Sequence, residues 1–188
     1  LFKRVPLAAG GKKIISQEDI MMFISIEQFK QEWQAESDNT RKIFSALTDE
    51  SLKQSVIEGH RTLGRIAWHI VQSLTDIGER TGLKVEGPTE DAPVPASAEQ
   101  IKQAYDKAAK LLLEQVIGNW TDESLDKEDD MFGQKWKRGL SLYILLKHES
   151  HHRAQMTVLM RQAGLKVPGI RGPAKEDWSQ FGAEPPQI

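Results

Sequence analysis

Cysteine is absent from this chain. That excludes disulfide frameworks, thiolate zinc sites and any thiol nucleophile carried by the protein itself. It agrees with a reducing compartment, and the cytoplasm is the expected location. No apolar run approaches the roughly 18 residues needed to cross a bilayer, so no membrane partner is expected. Neither sign of charge dominates: 25 Lys and Arg stand against 27 Asp and Glu. A net charge of −2 creates no overall field that calls for nucleic acid. The short basic run Lys135-Trp136-Lys137-Arg138 reads as solvated loop. Convincing strand alternation is missing too, as is any repeat at solenoid spacing.

What is present is amphipathic helix. Ser25 with Gln28 forms a capping-box pattern that opens a helix over about 26–47. Thr62 caps a second over about 63–81, closed by Gly82. Ser97 with Gln100 repeats the box and opens a third over about 98–117, ended by Gly118. A fourth spans about 137–163 and stops at Gly164. Pro88, Pro93 and Pro95 mark a loop between the second and third, and 122–134 reads as acidic and irregular. The fold class expected is all-α, a four-helix bundle. The two middle connections are long enough to be crossovers. The Pro-rich tail over 167–188 should wrap the bundle in extended form, anchored by Trp178 and Phe181. Residues 1–20 read as a non-native or upstream-translated leader, with the native start near Met21 or Met22 and the bundle domain over 21–188.

The fourth helix carries His148-Glu149-Ser150-His151-His152. At about 100° per residue, His148 and His152 lie about 40° apart, on the stripe shared by Leu145, Met156 and Leu159. Two buried imidazoles side by side need partners, and one metal ion partners both. His151, about 60° to the other side, reads as a flanking or surface group. The letters also satisfy His-Glu-x-x-His, but a zinc protease needs a downstream ligand and a sheet edge. Only Glu176, in the Pro-rich tail, stands near the right separation. A third ligand must come from elsewhere: His60, His69, Asp76 and Glu79 are the upstream candidates. His69 lies about 100° off the apolar face of Leu63, Ile66, Ile70, Leu74 and Ile77, at a boundary position. Trp68 projects opposite that face, toward the tail or a second subunit. Arg153 points away from the pair, toward a neighbouring helix or a dimer contact. Trp136 borders a pocket mouth or packs.

Three segments together resemble the DinB/YfiT-like family. They are Gly64-Arg65-Ile66-Ala67-Trp68-His69-Ile70, His148-Glu149-Ser150-His151-His152-Arg153-Ala154-Gln155, and Gly164-Leu165-Lys166-Val167-Pro168 followed by Trp178. The resemblance covers about 22–178. It implies a four-helix bundle with a three-histidine divalent-metal site, with His69 joining His148 and His152 as ligands. It also implies a homodimer. Three imidazoles leave zinc or nickel with an open position. That position can take an external low-molecular-weight thiol for S-transfer to a small electrophile, or a water for hydrolysis. A third reading is a metal-binding stress-response protein that is no enzyme. Glu149 is the candidate general base or imidazole partner, and Gln155 the candidate that orients a ligand or lines the pocket.

Overall fold

The computed structural model describes residues 22–187; the expected leader over 1–20 lies outside them. Four helices make the frame: α1 (Ile26–Ser45), α2 (Leu63–Arg80), α3 (Ala98–Asn119) and α4 (Arg138–Gln162). The caps read from the sequence form. Ser25 Oγ accepts from Gln28 N, Thr62 Oγ1 from Arg65 N, and Ser97 Oγ from Gln100 N. Each satisfies a backbone donor that the first helical turn leaves without a partner. Gly118 does not end α3. The helix continues through it to Asn119, and Trp120 N then closes the turn on Val116 O.

Each helix packs on two others, α1 on α3 and α4, and α2 on α3 and α4. Trp33 Nε1 donates to Ala109 O and Arg41 pairs with Asp106, so α1 and α3 are antiparallel. Phe23 beside Gly139 and Glu36 beside Arg153 make α1 and α4 parallel. Of the two middle connections expected to cross, the one over 81–97 runs back along the whole bundle and brings α3 in parallel to α2. Gln72 Nε2 donates to Thr89 O and Glu90 O on this crossover, and Trp68 Nε1 to Ala92 O. Trp68 is therefore buried under the crossover, not against the tail. The other connections, over 46–62 and 120–137, join diagonal helices at the bundle ends.

Two expectations about irregular chain are corrected. Glu128–Met131 (β1) and Gln134–Lys137 (β2) pair as an antiparallel hairpin, with Glu128 opposite Lys137 and Met131 opposite Gln134. Phe132 and Gly133 turn the corner with φ of 60° and 80°. Positive φ at both turn residues matches the right-handed strand twist, but the preferred residues there are Asn, Asp and Gly. A Phe-Gly corner between charged strands gives almost no pattern to read. The tail is not simply extended either, since Lys175–Phe181 winds into a 3₁₀ turn. Phe181 is exposed and anchors nothing. Val167, buried in the core, and Arg171, paired to Glu36 of α1, hold the tail instead.

Candidate metal centre

His69 of α2 and His148 and His152 of α4 converge across one helix interface. His148 Nε2 lies 3.3 Å from His69 Nε2 and 3.0 Å from His152 Nε2. His69 and His152 are buried and His148 is half-buried. The upstream alternatives do not join them. His60 and Glu79 are exposed, and Asp76 is bound to Arg80 at 2.8 Å. Among the described residues, these three histidines are the group whose donor atoms could hold a metal ion.

His69 reaches the site because α2 is not a one-stripe helix. The crossover covers one flank, α3 a second and α4 a third, so nearly every residue from Leu63 to Leu74 is buried. A position about 100° from the apolar centre then faces α4, not water. The same applies to α4, which packs on both α1 and α2. Its α1 side buries Glu149 and Arg153 as deeply as its α2 side buries His152.

The donor chemistry fits a cation. Zinc–nitrogen bonds of about 2.0–2.1 Å at tetrahedral angles put ligand nitrogens about 3.3–3.4 Å apart. His148 Nε2 presents either one lone pair or one N–H, so it cannot satisfy two imidazole nitrogens approaching from different directions. Gln155 settles the state of His152. Its amide nitrogen donates to His151 Nε2 at 3.0 Å, and its oxygen accepts from His152 Nδ1 at 2.8 Å. With its proton on Nδ1, His152 turns the Nε2 lone pair toward the other two rings. His151 itself is exposed, outside the trio.

Electrostatics keep the rings neutral. Burial, then the charges of His148 and His152, pull His69 down to about 3. Burial, then His152 and His151, pull His148 down to about 4. His152 is also lowered, by burial first, with its bond to Gln155 opposing. Arg61 adds positive charge at all three, and Arg65 at His69. Neither guanidinium has an ion-pair partner among the described residues. The result is three unprotonated nitrogens at neutral pH in a positive field, a state suited to a metal that takes an anion.

Glu149 occupies a different environment. It is buried beside Tyr105 of α3 and Arg153, whose Nη1 is 4.0 Å away, too far for a hydrogen bond. Arg153 instead donates to the carboxylate and backbone oxygen of Glu36 and to Thr40 Oγ1. Of the two expectations for Arg153, bracing a neighbouring helix is the one seen, and it is buried while doing so. Burial raises the Glu149 carboxyl to about 7 against the opposing pull of Tyr105 and Arg153. A plain surface carboxylate is thus excluded at this position.

A cleft adjoins the trio on the hairpin side. Ser73, Asp76 and Ile77 of α2, Ile144, Leu145 and His148 of α4, and Phe132 and Trp136 line it. Trp136 therefore borders a mouth next to His148.

A family model described as the DinB family matches residues 22–187. An uncharacterised protein of Bacillus subtilis (strain 168), YrdA, is 46% identical over 167 residues, 89% of this chain and 100% of that protein. The crystal structure of a DinB-like protein from Bacillus cereus ATCC 10987 shares the fold with a TM-score of 0.77 and 48% identity, covering 79% of this chain and 99% of the other. A second DinB-like crystal structure, YjoA of Bacillus subtilis, gives a TM-score of 0.58 at 16% identity over 74% of this chain and 94% of that one. At that identity the likeness is one of fold alone.

Proposed function

This chain belongs to the DinB family, and on that footing we propose that His69, His148 and His152 hold a zinc or nickel ion for chemistry on small molecules. The observation that carries this reading is the meeting of three Nε2 atoms, with Gln155 fixing the proton of His152 on the far nitrogen. A bound ion on three imidazoles supplies Lewis acidity and a position open to an outside ligand.

The reaction class proposed is transfer of an external low-molecular-weight thiol to an electrophile. The protein offers no thiol of its own to compete for the ion. Arg61 and Arg65 place positive charge around the three rings, which favours an anionic sulfur ligand. Hydrolysis is the competing chemistry, and it wants a base beside the open position. Glu149, the carboxylate expected in that role, has Tyr105 and Arg153 as its neighbours. That environment favours transfer. The same family footing carries the expectation of a homodimer, which sedimentation tests. Among the described residues, no helix is long and apolar enough to cross a membrane.

Metal analysis of protein purified without an affinity tag tests the site. His69→Ala, His148→Ala and His152→Ala should each lose the bound metal. Retention at the parent's level would remove these residues as ligands. Chelator-sensitive consumption of an electrophile in the presence of cellular thiols supports the transferase. Consumption unaffected by chelator counts against the metal, and none with any pair favours a protein that binds metal without turnover.

A further inference from the structure

A second cavity, of about 140 Å³, opens between the parallel helices α1 and α4. Ser150 and Tyr143 of α4 border it, and at about 100° per residue they lie roughly 140–160° around the helix from His148. None of the three histidines lines it, so it is separate from the candidate metal centre. Its floor is apolar. Phe23 and Leu146 are buried there, and Tyr143 meets Phe23 edge to face with centroids 6.4 Å apart. Its inner wall holds the buried Glu36 carboxylate, bound by Arg153 of α4 and Arg171 of the tail. Two guanidinium ions on one carboxylate leave one positive charge in surplus. At the rim, exposed Lys147 and Glu32 carry opposite charges, and neither has an ion-pair partner among the described residues. Arg171 commits one nitrogen to Glu36, and its other donors have no partner among the described residues. Lys147 is held along the wall, its Nζ 5.1 Å from the Tyr143 ring centroid. Ser141, on the same helix, turns its hydroxyl back to Lys137 O. Ser150 makes no such bond among the described residues, and its hydroxyl is left for the cavity.

We propose that this cavity binds a small monocarboxylate with a short apolar body, its carboxylate held by Arg171, Lys147 and Ser150 and its chain laid on Phe23, Tyr143 and Leu146. The site stands independently of the metal-site reading. A cavity of roughly 150 Å³ holds one benzene ring, so this one takes a molecule of about six heavy atoms. The planar carboxylate matches the paired N–H donors of a guanidinium. Charge sets the rest of the class. Glu32 cancels Lys147 at the rim, so the lining as a whole balances one negative charge, not two. A neutral molecule would cover the surplus charge without pairing it. Phosphate would set its outer oxygens against an apolar floor that offers them no donors.

The test is an NMR titration of the full chain with butyrate, butyramide, butylammonium and inorganic phosphate. Butyrate should bind at least about tenfold more tightly than each of the other three, as a charge-assisted pair to Arg171 predicts. Arg171→Gln should weaken butyrate about tenfold. The exposed position of Arg171 leaves folding intact, because Arg153 still pairs with Glu36. Ser150→Leu fills the cavity without touching a charge, and it should abolish butyrate binding while the melting temperature holds. No butyrate binding by the parent overturns the site. So does butyramide, butylammonium or phosphate binding as tightly as butyrate, since the class would then be wrong. Butyrate affinity unchanged in both Arg171→Gln and Ser150→Leu places the ligand elsewhere. Binding that disappears in His152→Ala but survives those two variants would put the carboxylate on a metal at the histidines, and it overturns the cavity while supporting the metal reading.

Discussion

Single ionisable residues in this protein are set by burial, and the direction of each shift makes a prediction. His69 and His148 titrate near 3 and 4 when folded, below the ordinary 6.5. Between those values the unfolded chain takes up protons that the folded chain refuses, so the contribution of these histidines to the stability of the metal-free protein falls as pH drops from about 7 toward 4. The difference in melting temperature between the parent and a variant with His69→Ala and His148→Ala should therefore shift against the parent on acidification; a difference that stays constant, or moves in the parent's favour, would contradict the neutral trio. Glu149 works in the opposite sense. Its folded value of about 7 lies above the ordinary 4.5, so the folded state keeps a proton that the unfolded chain releases. Its contribution therefore becomes less favourable as pH rises from 4.5 through 7. Glu149→Gln should gain melting temperature relative to the parent at pH 8 and gain less at pH 5. An equal difference at both pH values would show that the carboxylate is not held protonated. The spacing of His148 and His152 on one face was legible in the sequence. The depth of Glu149 was not, because a single-stripe reading of α4 assigns that side to solvent.

At the scale of elements, the contacts between α1, α4 and the tail depend on one buried carboxylate. Glu36 receives Arg153 from α4 and Arg171 from the tail, and Arg153 also satisfies Glu36 O and Thr40 Oγ1. Removing one partner of a buried ion pair leaves an uncompensated charge, which costs about 3–5 kcal/mol. Arg171 still pairs with Glu36 when Arg153 is removed, so Arg153→Met should cost less than that in chemical unfolding, about 1–3 kcal/mol for the lost charged hydrogen bonds, and the double change Glu36→Gln with Arg153→Met should recover part of the loss. Additive losses would place the stabilisation outside the pair. The three serine and threonine caps could be read directly, since a cap is a local bond over three residues. The hairpin could not. Its turn uses an unfavoured residue, and its strands bury Met131 alone, so no alternation marks them. Gly118 misled for a related reason: glycine permits a helix end without requiring one, and exposed in the last turn it costs only about 1 kcal/mol.

For the molecule as a whole, the proposed metal would be linked to the fold. The histidines come from α2 and α4, so a metal bound to them clamps two helices and stabilises only the folded chain. At zinc a hundredfold above the dissociation constant the gain is about 2.7 kcal/mol. For a domain of this size that raises the melting temperature by roughly 5–10 °C. His152→Ala should abolish the rise in a scanning calorimeter, and a rise that survives it would locate the metal elsewhere. Periodicity and capping, both local properties, were enough to specify four helices, and helical spacing was enough to pair His148 with His152. Motif order pointed to His69 where periodicity left it at a boundary. Tertiary structure decided the rest. Only the return of 81–97 along α2, and the packing of α4 on two neighbours, turn His69 inward and bury Glu149 and Arg153. The reason is physical: a chain pattern records which residues avoid water, but which side of a rod loses its water depends on what packs against it.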